Sequence, residues 1–213
     1  MIAPPPLFPP FVAHRSAAVS IDALADTDIG IPASLSVAVP SRRAEFVAGR
    51  LCARDALAGL GAPSTTVPRG SDGAPEWPAG FVGSISHTAD FAFAAVARSA
   101  QVRALGLDVE RIARFQTTKI TRLVTTPAER ALFDFSTDML AIVFSAKEAV
   151  YKCLYPLLRR VLGFDAIELD SIGAGSFSCH PARQLSPELG PAAIIKGRYV
   201  ITEGLIHSGV MLA

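Results

Sequence analysis

FSAKEAVYK, Phe144–Lys152, has the spacing of a packed helix and yet carries Lys147, Glu148 and Lys152 among apolar neighbours. On a 3.6-residue period Val143, Ala146, Ala149, Val150, Cys153, Leu154 and Leu157 share one stripe, and Ser145, Glu148, Lys152 and Tyr155 fall on the other side. The stripe predicts a helix laid on a core. Glu148 and Lys152 stand at i,i+4, where an exposed ion pair contributes only about 0.3–0.5 kcal/mol. A surface pair is one reading of them. The other requires a further partner for Glu148.

Working outward, TTPAERALF places Thr126 as N-cap, Pro127 at the first helical position and Glu129 at N3, a strong helix start. After the Phe144–Lys152 helix, GFDAIELD, GSFSCH, AAIIKGRYVIT and LIHSGVMLA read as strands. Before it come FVGSIS, FAFAAVA and VRALGLDVE, with HTAD as the turn between the first two, a pattern that predicts an antiparallel meander. Further upstream, Ser41 is expected to cap a helix through RRAEFVAGRLCARDALAGLG, with Phe46, Val47, Leu51, Ala53 and Ala58 on its apolar face and Gly59 and Gly61 at its end. A Gly/Pro-rich passage, PRGSDGAPEWPAG, follows it. Residues 1–40, rich in Pro and Ala, are expected to be extended, on the surface or at a sheet edge. Helices and strands thus occur in both halves of the chain.

The 213 residues, 50% hydrophobic and 18% charged, are enough for one large domain or two small halves. A net charge of +1 argues against a general nucleic-acid binder, so any anion site must be local. Cys52, Cys153 and Cys179 are too scattered for a disulfide framework or zinc site and read as small buried hydrophobes in a reducing compartment. MIAPPPLFPP lacks the positive n-region of a signal peptide, and no apolar run reads as a membrane span. A cytoplasmic protein is expected.

In GLDVERI, Gly106–Ile112, a strand turns Leu107 and Val109 one way and Asp108 and Glu110 the other, setting two carboxylates side by side. A solvated strand face would show the same alternation. With Glu148 as a third carboxylate, the set suits Mg2+, which takes hard oxygen ligands and keeps substrate phosphates in its shell. Lys152, one turn beyond Glu148, would then hold a phosphate. Arg42, Arg43, Arg50 and Arg54 lie on or near the polar side of the upstream helix and Arg69 in the loop after it; guanidinium forks match phosphate oxygens, although Glu45 and Asp55 could equally make that face a solvated one. GSISH adds Ser86 and His87 at a strand end, a hydroxyl and an imidazole able to reach a phosphate. His14, His180 and His207 are given no role.

GSISH, GLDVE and FSAKEAVYK, in that order, resemble the 4′-phosphopantetheinyl transferase superfamily, closest to its larger monomeric type, the surfactin-synthetase and enterobactin-synthetase activating enzymes. RRAEFVAGRLCARDALAGLG and GAPEWPAG extend the resemblance over about residues 41–165. It implies an α+β fold of two similar halves related by a pseudo-twofold, each an antiparallel sheet packed against helices, with the active site between them. The halves are expected at residues 1–105, with the nucleotide-binding arginines, and 106–213, with the metal site and catalytic helix. It implies Mg2+-dependent transfer of phosphopantetheine from coenzyme A to a serine of an apo acyl or peptidyl carrier protein, with Mn2+ as a possible substitute and adenosine 3′,5′-bisphosphate as leaving group. Asp108, Glu110 and Glu148 match the family's metal-binding acids, and Lys152 its lysine on the coenzyme A phosphates. Ser86 and His87 match its serine and histidine near the nucleotide phosphates, and Arg42 or Arg43, Arg50 and Arg69 its basic contacts to the nucleotide end. Gly73 and Ala74 stand where many relatives carry a basic residue, a place Arg69 would fill. Glu148, directly or through a water, is the candidate base for the carrier serine. Carrier docking is expected on RIARFQTTKITRLVTTPAER, where Arg111, Arg114, Lys119 and Arg122 alternate with Phe115, Ile120 and Leu123. A Mg2+-dependent hydrolase of coenzyme A or nucleotide pyrophosphates, and a silent coenzyme A-binding module, are the alternatives.

Overall fold

The computed structural model describes residues 3–115 and 120–213. The chain forms two compact units that meet in sequence at Leu105 and Gly106. Each is an antiparallel sheet with a long helix packed on it, an α+β architecture.

The first unit is built on helix α1, Pro40–Gly59. Its start differs from the expectation at Ser41: Val39 is the N-cap residue and makes no side-chain cap, while Pro40 takes the first helical position. Proline's fixed φ suits that position and its missing N–H costs nothing there, so Ser41 lies inside the first turn. Strand β1, Ala13–Ala18, lies beside β3, Phe91–Arg98, which also pairs with β2, Phe81–His87. The edge position expected for part of residues 1–40 is thus that of β1. Ala92–Ala97 of the central strand are all buried, and the small residues Ala92 and Ala94 and Val96 let Ala48, Cys52, Ala53, Ala56 and Leu57 of α1 pack close against them.

The three strand-like runs do not form one meander. β2 and β3 make the expected hairpin, but both sides of β3 are taken, by β2 and by β1. The third run, β4, Ala104–Arg111, joins the other sheet instead, next to the last strand of the chain.

The second unit orders its sheet β4-β8-β7-β6-β5, where β5 is Ile167–Gly173, β6 Ser176–Pro181, β7 Ile195–Thr202 and β8 Leu205–Leu212. Glu203 and Gly204, both at positive φ, form the two-residue turn between β7 and β8 that the twist of a hairpin favours. Helix α4, Thr137–Leu158, packs on β8 and β7 and is capped by Ser136, whose hydroxyl accepts from the Met139 amide at 3.2 Å. The stripe read from sequence is buried from Val143 to Leu154, but burial runs further round the helix and takes in Ser145 and Lys147. Phe115, Leu140, Ala141, Ile142 and Ile206 form a core cluster here, each large apolar side chain contributing about 1.5–3 kcal/mol by leaving water.

Two short helices, α2 at Thr121–Val124 and α3 at Pro127–Leu132, precede α4. The capping box expected at Thr126 is present: its hydroxyl accepts from the Glu129 amide, and the Glu129 carboxylate accepts from the Thr126 amide.

Gly106 fixes the approach of β4 to α4. A Cβ there would stand 1.9 Å from the Ala149 carbonyl oxygen and 2.7 Å from the Cys153 amide nitrogen. Both obstacles are backbone, so Gly106→Ala must push strand from helix. We expect a stability loss at or above the about 1–3 kcal/mol usual for overpacking, read in thermal denaturation.

Candidate active site

Asp108 sits on β4 and Lys152 on α4, and the Lys152 Nζ donates to Asp108 Oδ1 at 2.7 Å. The Asp108 side chain is 3% exposed and that of Lys152 27%, so the pair closes inward and opens through the lysine. Glu110, two residues along the same strand, accepts from Arg114. Burial, reinforced by the charge of Asp108, raises the Glu110 carboxyl to about 6 against the pull of Arg114 and Lys152. Burial and Asp108 also raise Glu148, again opposed by Lys152 and Arg114. The charge of Asp108 thus acts on both Glu110 and Glu148, with two basic side chains offsetting part of it.

In kind these donors suit a hard divalent cation: all are carboxylates, and two hold protons more tightly than usual, first because they are buried and then because Asp108 is charged beside them. Among the described residues, however, no three His, Cys, Asp or Glu side chains are gathered as a metal cluster. Lys152 engages Asp108 and Arg114 engages Glu110. The sequence reading set Lys152 on a phosphate, and here its ammonium lies on Asp108.

Glu148 lines a small pocket with Lys147, Tyr151, Leu162, Gly163, Phe164 and Ile167. A hub of buried polar contacts holds its walls. Lys147 Nζ donates to the Val124 carbonyl at 2.9 Å, to Glu129 Oε2 at 2.8 Å and to the Phe164 carbonyl at 2.8 Å. Glu129 also accepts from the amides of Thr126 and Leu169, each at 2.8 Å. One ion pair thereby ties α4 to the end of α2, the start of α3, β5 and the pocket wall. Neither residue's part was read from the sequence, which saw in Glu129 only a cap.

The basic residues of the first unit divide into two groups. Arg42 donates to Glu45 Oε2 at 2.9 Å and approaches His87 Nε2 at 2.6 Å. An always-protonated guanidinium makes that nitrogen the acceptor, so the His87 proton is on Nδ1, 3.6 Å from Glu45 Oε2. Arg43 and Arg50, seven residues apart on one helical face, each bury an Nε that has no hydrogen-bond partner. Arg50 lies over the Phe46 ring at 4.5 Å, and burial followed by repulsion from Arg69 lowers its guanidinium to about 10. Guanidinium groups that keep a buried donor without an acceptor suit an anionic ligand. Gly73, at φ +88, lets Arg69 lie against the loop: a Cβ there would be 3.0 Å from its guanidinium nitrogen. Ser86 and His87 are successive on β2, so their side chains leave opposite faces; His87 joins α1, and Ser86 is turned away from it and buried. Arg54, on the same helix, is engaged by Asp28 at 2.8 Å.

His207, wholly buried on β8, lies in the field of Asp108, and burial lowers it to about 4. A lone histidine in an apolar strand gave the sequence no signal of this. The three cysteines are free and buried, and burial raises each thiol to about 12, as their reading as core residues requires.

Two family models match the chain: the 4′-phosphopantetheinyl transferase N-terminal domain over residues 32–97 and the 4′-phosphopantetheinyl transferase superfamily over residues 104–202. The chain is 37% identical over 186 residues to the 4′-phosphopantetheinyl transferase PptT of Mycobacterium tuberculosis, covering 82% of this chain and 81% of that one. It is 38% identical over 194 residues to the 4′-phosphopantetheinyl transferase Svp of Streptomyces mobaraensis, covering 85% and 76%. With enterobactin synthase component D of Salmonella typhi the identity is 34% over 205 residues, covering 91% and 82%. The chain belongs to the 4′-phosphopantetheinyl transferase superfamily.

Proposed function

We propose that this transferase moves 4′-phosphopantetheine from coenzyme A to a serine hydroxyl of an apo acyl or peptidyl carrier protein, with Mg2+ or Mn2+ held by Asp108, Glu110 and Glu148. The observation that carries the site assignment is the meeting of Asp108 with Lys152 where Glu110 and Glu148 crowd the same charge. Bound there, the cation would offset charge on the pyrophosphate. Lys152 supplies an ammonium to an oxygen of the same group. Glu148, raised above the ordinary carboxylate range, is the base for the serine proton, directly or through a water. The serine Oγ bonds to the β-phosphorus, the bond from that phosphorus to the bridging oxygen breaks, and adenosine 3′,5′-bisphosphate departs with the electron pair. Arg43, Arg50 and Arg69 take the nucleotide end, with Arg42 and His87 beside them as one linked pair. Ser86 is assigned there by the family motif alone. We place the enzyme in the cytoplasm as a monomer, a reading consistent with its free buried thiols.

Incubation with coenzyme A, Mg2+ and an apo carrier, followed by mass spectrometry, tests the reaction. The carrier should gain one phosphopantetheine. Coenzyme A consumed without carrier would make the protein a hydrolase, and neither change would make it a binding module.

Ground-state contacts separate from chemistry in the variants. Arg50→Ala and Gly73→Ala should each raise the KM for coenzyme A about tenfold or more with kcat little changed, one by removing a guanidinium and the other by displacing Arg69. Losses confined to kcat would remove both from the nucleotide site.

The docking surface is narrower than the sequence suggested. Phe115 is fully buried, Arg114 is engaged by Glu110, and Ile120 packs on the core. Lys119 lies outside the described residues. Arg111 at the end of β4 and Arg122 and Leu123 on α2 remain exposed, Leu123 at 72%. Replacing the α2 pair, Arg122→Ala with Leu123→Ser, should raise the carrier KM several-fold at low salt and leave that for coenzyme A alone; an unchanged carrier KM would move docking elsewhere.

A further inference from the structure

The cations of the chain itself stand on the oxygens assigned to Mg2+. Lys152 holds Asp108 Oδ1 at 2.7 Å, and Arg114 holds Glu110. We infer that Mg2+ and the coenzyme A pyrophosphate enter by an exchange of partners: the metal takes Asp108 as the Lys152 ammonium passes to a phosphate oxygen, so each ligand binds weakly alone and tightly with the other. The inference rests on the proposed function and adds to it the order of dependence between the two ligands.

The physical reason is that either ligand alone leaves a charge stranded. Asp108 is nearly buried, so a pyrophosphate that drew Lys152 away would leave a desolvated carboxylate without its cation. Mg2+ alone would have to displace the ammonium and then face it at close range without an intervening anion. With both present, the carboxylate has the metal, the lysine has the phosphate, and no ion is left over. Lys152 is the more exposed member of the pair and has the long flexible stem, so it is the partner that moves. By linkage the coupling is reciprocal: coenzyme A tightens the metal by the factor by which the metal tightens coenzyme A.

Direct bridging of metal and pyrophosphate would also couple the two, so the decisive comparison is made without coenzyme A. In calorimetric titration with MgCl2 or MnCl2, Lys152→Met should bind the metal alone about tenfold more tightly than the wild type, a coupling of ordinary size, although it lacks the lysine needed for turnover. Coenzyme A, added without a carrier so that it is not consumed, should tighten the metal by a smaller factor in Lys152→Met than in the wild type. Metal-alone affinity equal to or weaker than wild type overturns the exchange. Absence of metal binding by the wild type with coenzyme A bound would instead overturn the metal assignment beneath it.

The intact protein provides a second reading that does not depend on the variant folding and that separates exchange from simple loss of a positive field. In protein labelled with 15N-lysine, the Lys152 ammonium resonance should move when Mg2+ and coenzyme A are both added, and stay in place with either alone at the same concentrations. A full shift with Mg2+ alone, or none with both, overturns the proposal.

Discussion

Glu148→Gln is expected to give a folded protein that modifies its carrier about 10²–10⁴-fold more slowly, the range usually lost with a positioned general base. On the proposed assignment, two functions would go with one carboxylate, the proton acceptor and a metal ligand, while the shape of the side chain stays. The same change should stabilise the metal-free protein at neutral and higher pH. Glu148 is raised first by burial and then by Asp108, so the folded state holds its proton more tightly than the unfolded chain does. Stability from this group is therefore present below the ordinary carboxylate range and is lost as pH rises through the folded value. Glutamine never takes the charge. Glu110, raised to about 6, adds to the same trend, and the wild type should gain activity from about pH 5 to 7 as Glu110 ionises. Near-normal turnover by Glu148→Gln, or no rise in its thermal midpoint at pH 8, would remove Glu148 from the centre of the site.

Lys147→Met should have the largest effect on stability. It leaves the Glu129 carboxylate buried, with its side chain 0% exposed, and without the cation that holds it, a loss of about 3–5 kcal/mol. The Val124 and Phe164 carbonyls lose a donor at the same time. For a chain of this size the midpoint should fall by about 10 °C or more in a thermal melt. Glu129→Gln in the Lys147→Met background should restore part of this, since the amide carries no charge and its one oxygen still accepts from either the Thr126 or the Leu169 amide, though not from both. A midpoint within a degree or two of wild type would show that the hub contributes little.

What could be read from sequence was what is local in it. The period of Val143 to Leu154 marked α4, and Thr126 with Glu129 marked the start of α3, because each signal lies within a few residues of the structure it specifies. β4 was legible as a strand and its two acids as neighbours on one face. Its partner was not, because β8 lies about a hundred residues away and the nearer strand, β3, invited a meander. The same limit hid the hub. Lys147 stood out only as a charge among apolar neighbours; its partner, Glu129, lies eighteen residues earlier, and no spacing rule joins the two. Arg114 was assigned to carrier docking because its neighbours alternate in polarity; at i+4 from Glu110 it could have been read as that residue's partner. Arg43 and Arg50 share a helical face by simple count, but only burial shows that both lose solvent without gaining an acceptor.

The most direct test of the site is a crystal of the enzyme with coenzyme A and Mn2+, measured for the anomalous signal of the metal. The peak should lie at the carboxylates of Asp108 and Glu148, with Lys152 withdrawn from Asp108 to a phosphate oxygen. Coenzyme A bound with the manganese elsewhere, or with Lys152 still on Asp108, would contradict it.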